Sequence, residues 1–118
     1  MIRKCGNYKT EERFEMRGGS GTVRIEHLFT PGEELKAPTR LCAKLTLEPG
    51  VSIGFHKHET EEELFHIISG SAEVDDNGTL LQVCAGDSII TGNGSGHSIR
   101  NTGNGNLEIL AVITKFAE

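Results

Sequence analysis

Hydrophobic and polar residues alternate along most of this 118-residue chain. A period of two places every second side chain on the same face, which is the pattern of a β-strand with one buried side. The segment 107–115 differs because it is apolar on both faces apart from Glu108, so we expect it to be covered on both sides. The pattern predicts strands at 22–30, 41–48, 64–68, 71–74, 79–84, 88–91, 97–101 and 107–115.

Turn signals separate these segments. Asp75-Asp76-Asn77-Gly78 predicts a hairpin, because Asn-Gly tolerates the positive φ angles of a type I′ turn. The first 21 residues read as an irregular or partly paired arm, in which 10–17 could form a helical turn or a strand. Few segments carry a helical pattern, and the 15 glycines favour frequent turns. The chain is therefore expected to be all-β.

Four side chains in this pattern could bind a metal ion. His56 and His58 are two residues apart, so they point to the same side of one strand. Glu63 follows a polar turn and opens the next strand, from which it can return to that face. His97 begins a later strand after a glycine-rich turn. A β-barrel could bring these three imidazoles and one carboxylate into one pocket, as a ligand set for a divalent transition metal.

Each candidate has a competing interpretation. A histidine taken singly is more often a surface or core residue, and Glu61 or Glu62 could replace Glu63 as the ligand. The remaining run of acidic residues is expected to be a solvated turn. His27 is expected in the core, with a place in the pocket as the alternative. His66 is three residues from Glu63, so it is expected on the opposite face, in packing or at an interface.

The same residues resemble the two cupin motifs. Motif one, G-x5-H-x-H-x4-E-x6-G, is matched at every fixed position, and motif two, G-x5-P-x-G-x2-H-x3-N, is matched except that Gly92 stands in the proline position. The matching residues are Gly50, His56, His58, Glu63 and Gly70 in the first motif and Gly86, Gly94, His97 and Asn101 in the second. Two motifs in the right order are far more specific than an isolated H-x-H.

The resemblance is to small cupins of the oxalate-decarboxylase-like group. It implies a cupin double-stranded β-helix, or jelly-roll barrel, formed as a single domain over 1–118. The barrel core would span about 41–116, with an N-terminal arm at 1–21. It also implies one divalent metal on His56, His58, Glu63 and His97. Mn²⁺ or Fe²⁺ fits this mixed nitrogen and oxygen set best, and Zn²⁺, Ni²⁺, Co²⁺ or Cu²⁺ could also occupy it. Asn101 is expected to be a structural hydrogen-bonding residue.

Such a site would leave two octahedral positions open for a small bidentate ligand, such as a dicarboxylate, an α-hydroxy or α-keto acid, or an enediol. A dioxygenase, a decarboxylase or an isomerase is expected on this basis. Oxalate decarboxylases carry a substrate-binding arginine three residues before the first ligand histidine, where this chain has Ile53. No acidic lid is evident either, so the alternative is a non-catalytic cupin that binds a small ligand for sensing or storage. The glycine-rich loop 92–96 is expected to be mobile.

Composition removes other classes of function. The net charge is −5 and there is no tryptophan, which argues against nucleic-acid binding. No apolar run approaches a membrane span, and the N-terminus lacks a signal-peptide pattern. The three cysteines indicate a reducing cytoplasm, with Cys42 and Cys84 expected to be buried. Leu110 and Val112 would be exposed on an outer strand face, which predicts a homodimer with exchanged N-terminal strands.

Overall fold

Ten strands form two facing sheets in the computed structural model, which describes residues 1–117. One sheet has the order β1-β2-β3-β10-β5-β8, and the other has the order β4-β9-β6-β7. The strands are β1 (Lys9–Phe14), β2 (Thr22–His27), β3 (Thr39–Leu47), β4 (Ser52–Lys57), β5 (Glu61–Ser69), β6 (Ser71–Asp76), β7 (Thr79–Cys84), β8 (Ser88–Gly92), β9 (Gly96–Asn101) and β10 (Leu107–Lys115). All strand pairings within both sheets are antiparallel. The predicted all-β fold is confirmed.

The barrel core follows from the alternation of side chains. Along β10 the buried residues are Leu107, Ile109, Ala111 and Ile113, while Leu110 lies on the other face and is half-buried. The two inner faces pack together apolar side chains from seven of the strands. Each valine, leucine, isoleucine or phenylalanine side chain among them stabilises the fold by about 1.5–3 kcal/mol when it is fully buried. This packing determines which side chains of each strand point into the barrel, and the same alternation determines which polar side chains on these strands point inward.

One turn settles a question that the sequence left open, and another confirms a prediction. The segment 10–17 forms both a strand and a turn, since β1 pairs with β2 and is followed by a 3₁₀ turn at Met16–Gly18. The hairpin between β6 and β7 turns at Asn77 and Gly78, whose φ angles are 49° and 101°. The positive φ angles at both residues confirm the predicted type of turn.

No helix within residues 1–117 is long and apolar enough to cross a membrane. One burial prediction was wrong. Cys84 is exposed because it ends β7, and its amide donates to the Asp87 carboxylate at 2.8 Å. Cys42 is half-buried on β3, and burial raises the pKa of its thiol.

Candidate metal centre

The candidate metal centre lies between the two sheets. His56 on β4 pairs in register with His97 on β9, and His58 follows directly after β4. Glu63 lies on β5 in the opposite sheet. A register shift in β4 between Ile53 and His56 interrupts its regular pairing with β9. The two sheets therefore contribute to one cluster, as the sequence predicted.

The four ligand atoms of this cluster all lie within 4.8 Å of one another. Glu63 Oε1 is 3.0 Å from His58 Nε2 and 3.0 Å from His97 Nε2. His97 Nε2 is also 3.2 Å from both His58 Nε2 and His56 Nε2. The Glu63 to His56 separation is longer, at 3.9 Å. Four lone-pair-bearing atoms thus converge on one small space, where a cation would offset their mutual repulsion.

Hydrogen bonds to the other ring nitrogens orient two of the imidazoles. His56 Nδ1 is 2.7 Å from the Gly54 carbonyl oxygen, which can only accept, so this nitrogen carries the proton. His58 Nδ1 donates in the same way to Glu61 Oε1 at 2.9 Å. Protonation at Nδ1 leaves the Nε2 lone pair free to bind a metal in the neutral ring.

Glu61 is itself held by an arginine. Arg40 Nε and Nη2 donate to its two carboxylate oxygens at 2.7 and 2.6 Å, which is a bidentate ion pair. The hydrogen bond from Arg40 is the largest effect on the Glu61 carboxyl and lowers its pKa to about 2. The carboxylate therefore stays ionised and available to His58 throughout the neutral range.

His97 is fixed by packing. Its ring stacks on Phe65, with a centroid separation of 4.8 Å and an interplanar angle of 11°. Its Nδ1 is buried and has no hydrogen-bond partner among the described residues. Burial is the largest effect on this imidazole and lowers its pKa, which favours the neutral form that a metal requires.

Glu63 is 4% exposed and nonetheless ionised. Burial alone would raise the pKa of its carboxyl, but hydrogen bonds with the three histidines outweigh burial and hold that pKa far below the ordinary 4.5. The hydrogen bond to Glu63 in turn raises the pKa of His58. The Glu63 carboxylate and the His58 imidazole thus stabilise the charged forms of one another.

These residues fit a divalent transition metal. Two neighbouring ligands on an octahedral ion, each about 2.1 Å from it, lie about 3 Å apart. The separations of 3.0 and 3.2 Å at the centre match that spacing. With one carboxylate and three neutral imidazoles, a divalent ion would give the centre a charge of about +1.

A cavity of about 100 Å³ opens onto the cluster and contacts His56, His58 and Glu63. Its buried wall is apolar and consists of Ile25, Leu45, Ile53, Phe65 and Ile113. Its exposed rim is cationic and consists of Arg13, Arg17 and Arg40, beside the half-buried His27. The cavity suits a small polar ligand that reaches the cluster from the His56 side.

The other sequence predictions have mixed outcomes. His27 lines the cavity and lies 3.3 Å from Glu11, which corresponds to the alternative rather than to the expected core position. His66 is on the outer face and contacts Ser88 Oγ at 2.8 Å, as predicted. Asn101 is a structural residue, since it donates to the carbonyl oxygens of Leu47 and Gly105 at 2.8 Å each.

One expectation about polar segments needs correction, and another stays a prediction. The acidic turn is not wholly solvated, because Glu61 is only 14% exposed and holds His58. The loop 92–96 is tied to the ligand segment, since the Gly94 amide donates to the His58 carbonyl and the His58 amide donates to the Ser95 carbonyl. A Cβ atom at Gly92 would lie 2.5 Å from the Glu61 carbonyl oxygen, so close packing favours a glycine at this position. The mobility of the loop stays a prediction.

The sequence did not identify Arg13 or Arg17 as cavity residues. Both lie in the N-terminal arm, whose path over the barrel depends on the pairing of β1 with β2. The only sequence signal for a cationic cavity rim was the presence of these two arginines. Nothing in their spacing relates them to His56, which is far away along the chain.

The family model of the cupin domain, Cupin_2, matches residues 43–113, more than half of the chain. The chain is a cupin. An oxalate-binding protein of Thermotoga maritima is 42% identical to this cupin over 113 residues, which cover 96% of this chain and 93% of that protein. A crystal structure of a predicted oxalate decarboxylase from Thermotoga maritima superposes with a TM-score of 0.93 at 40% identity, covering 98% of this chain and 100% of that one.

More distant structures share the fold alone. The polyketide cyclase RemF of Streptomyces resistomycificus superposes on this cupin with a TM-score of 0.75 at 16% identity. That match covers 99% of this chain and 81% of the cyclase. Of the three proteins compared, only the two from Thermotoga maritima have names that refer to oxalate.

Proposed function

We propose that this cupin binds one divalent transition metal through His56, His58, Glu63 and His97, and uses it to hold a small oxygen-rich acid or enediol. The convergence of three imidazole Nε2 atoms and one buried carboxylate carries this proposal. Mn²⁺ and Fe²⁺ are the preferred ions, because the set mixes nitrogen and oxygen donors and leaves room for oxygen ligands. The metal would supply a Lewis-acidic centre with open positions for the ligand.

The protein residues have distinct tasks in this proposal. Glu61 and the Gly54 carbonyl hold two imidazoles in the tautomer that binds metal. The apolar wall, which includes Ile53 and Phe65, would exclude water from one side of the ligand. This strengthens electrostatic interactions within the site.

Oxalate is the first ligand to test, because the Thermotoga relative is named for binding it. Oxalate is a dicarboxylate that can chelate one ion through an oxygen of each carboxylate. It therefore fits two neighbouring open positions on an octahedral metal.

The proposed enzyme class is a metal-dependent dioxygenase, decarboxylase or isomerase. The alternative is a cupin that binds its ligand without turnover. The alternative is favoured by one observation: among described residues that line the cavity, Glu63 is the only carboxyl group. The only cavity histidine outside the cluster, His27, lies beside Glu11. Within residues 1–117, no carboxyl group other than Glu63 lines the cavity to protonate a product.

Turnover separates the two classes. The Mn²⁺- or Fe²⁺-loaded protein should be incubated with oxalate and a panel of hydroxy acids, keto acids and enediols, under air and under argon. Formation of formate with CO₂, consumption of O₂ or isomerised product would identify an enzyme and its reaction. Saturable binding of a ligand with no conversion would establish the binding protein.

We also propose a homodimer. Four apolar residues lie in register across the outer face of one sheet, namely Cys42, Val112, Leu64 and Ile90. In this structure β1 pairs with β2 at the edge of the same sheet, and β2 and β3 separate it from β10, so β1 does not pair beside this row. A second copy would cover it. Sedimentation of wild type and Val112→Glu tests this, with a monomer expected only for the variant.

The proposed compartment is the cytoplasm. Cys5 and Cys84 are exposed free thiols, a state that a reducing environment preserves.

A further inference from the structure

Three arginines surround the cavity mouth, and two of them are already paired. Arg13 Nε donates to Glu11 Oε1 at 2.7 Å, and Arg40 makes its bidentate pair with Glu61. Arg17 has no carboxylate partner within residues 1–117, although it lines the same cavity as His56. Among the described residues, it is thus the cavity-lining arginine that no carboxylate neutralises.

The backbone at Arg17 has an unusual conformation for this residue type. Its φ and ψ angles are 55° and 30°, in the left-handed region, and Glu15 nearby has φ 51° and ψ 46°. Residues other than glycine adopt this conformation only where the surrounding structure enforces it, and such residues cluster at ligand sites. The strain therefore calls for a reason in function or packing.

Packing against β4 enforces this conformation. A Cβ atom on Gly54 would lie 2.1 Å from the Arg17 carbonyl oxygen, and one on Gly19 would lie 2.1 Å from the Ser52 carbonyl oxygen. Hydrogen bonds between Ser20 and Ser52 add two contacts of 2.9 Å. The 3₁₀ turn is thus fixed on the strand that also carries His56. The position of Arg17 relative to the metal centre is consequently built into the fold.

We propose that Arg17 binds the outward-facing carboxylate oxygens of a dicarboxylate chelated at the metal centre. This inference rests on the proposed function. A dicarboxylate that gives one oxygen of each carboxylate to the ion keeps two oxygens that face away from it. The planar guanidinium fork matches such a pair of oxygens. Arg17 would then select dianions over chelators that lack a second carboxylate.

The test compares two chelators on the Mn²⁺-loaded protein by isothermal titration calorimetry. Oxalate has the outward carboxylate oxygens, whereas acetohydroxamate chelates as a monoanion without them. For Arg17→Gln we expect oxalate affinity to fall about tenfold, the size of one charge-assisted hydrogen bond at a partly exposed site. Acetohydroxamate and Mn²⁺ affinities should remain within about twofold of wild type.

Two further variants separate recognition from folding and from general charge. Arg24→Gln removes the same charge from an exposed residue of β2 outside the cavity, and should leave oxalate affinity unchanged. Arg17→Gly removes the cation and relieves the left-handed strain, so it should weaken oxalate binding while keeping or raising the melting temperature. If Arg17 had only a structural role, Arg17→Gly would not weaken oxalate binding while keeping or raising the melting temperature.

The outcomes are distinguishable. If wild type binds Mn²⁺ and oxalate but Arg17→Gln binds oxalate equally well, the Arg17 proposal is wrong and the proposed function stands. An equal loss for both chelators would also overturn it, because the effect would then lie at the metal. If the wild-type protein binds neither Mn²⁺ nor oxalate, the proposed function fails and the inference fails with it.

Discussion

The hydrogen bond from His58 Nδ1 to Glu61 predicts that a residue outside the proposed ligand set controls metal affinity. In Glu61→Ala the imidazole loses its 2.9 Å acceptor, and Arg40 loses its partner. The Nδ1–H tautomer is then no longer fixed, and the ring can turn its lone pair away from the cluster. Removal of such an outer partner typically lowers metal affinity about 10- to 100-fold, or about 1.4–2.7 kcal/mol.

The exposure of the residues involved indicates where in this 10- to 100-fold range each variant should lie. Arg40 is 43% exposed, so solvent screens the guanidinium that Glu61→Ala leaves unpaired, and that unpaired charge should cost little. Glu61 and His58 are only 14% and 1% exposed, so their hydrogen bond should contribute most of the effect. We therefore expect about a tenfold loss for Glu61→Gln, which keeps an acceptor, and a loss nearer to 100-fold for Glu61→Ala.

Competition with a fluorescent chelator measures this affinity directly. Glu59→Ala is the matched control, because Glu59 belongs to the same acidic run and is exposed. Metal affinity within twofold of wild type in Glu61→Ala would refute the role of the hydrogen bond. Complete loss of metal, equal to that of Glu63→Ala, would instead make Glu61 a ligand.

Three other perturbations have expected outcomes. Metal at about 100 times its Kd should stabilise the folded protein by about 2.7 kcal/mol, which raises the Tm by about 10 °C for a domain of this size. An unchanged Tm in differential scanning calorimetry would contradict the proposed metal site. Metal affinity should fall as the pH drops through the range in which histidine titrates, around its unperturbed pKa of about 6.5, because a protonated ring cannot bind metal and Glu63 raises the pKa of His58. A metal affinity that stays constant between pH 5 and 8 in chelator competition would contradict this. Asn101→Ala should destabilise the fold by about 2–3 kcal/mol in urea titration, because it removes the hydrogen bonds to the Leu47 and Gly105 carbonyls. Its metal content should stay unchanged, and loss of metal in the folded variant would show that Asn101 acts on the site.

Much of this fold was predictable because strand alternation reports burial directly. The apolar faces of β3 and β10 could be assigned from a period of two. The site was predictable for a related reason, since His56 and His58 need only one strand to share a face. Two sequence motifs then placed Glu63 and His97 beside them. The relation between His56 and His58 is short-range and can be seen in the linear sequence, whereas His97 lies 41 residues from His56 and was placed only through the resemblance to the second motif.

What was missed depends on contacts between distant segments. Arg40 and Glu61 are 21 residues apart, and their ion pair turns an ordinary acidic residue into the support of His58. Arg17 reaches the cavity only because Gly19 and Gly54 allow the 3₁₀ turn to approach β4 closely. Cys84 was misplaced because its apolar character was taken to indicate burial, whereas β7 is largely exposed at the end of its sheet.

Metal content of the untagged protein, measured by mass spectrometry, tests the central claim most directly. Wild type should be compared with a His56→Ala, His58→Ala double variant and with His66→Ala, which removes a histidine from the outer face. We predict about one transition-metal ion per chain in wild type and His66→Ala, with almost none in the folded double variant. No bound metal in wild type after reconstitution with Mn²⁺, Fe²⁺ and Zn²⁺, or equal metal in all three proteins, would contradict the account.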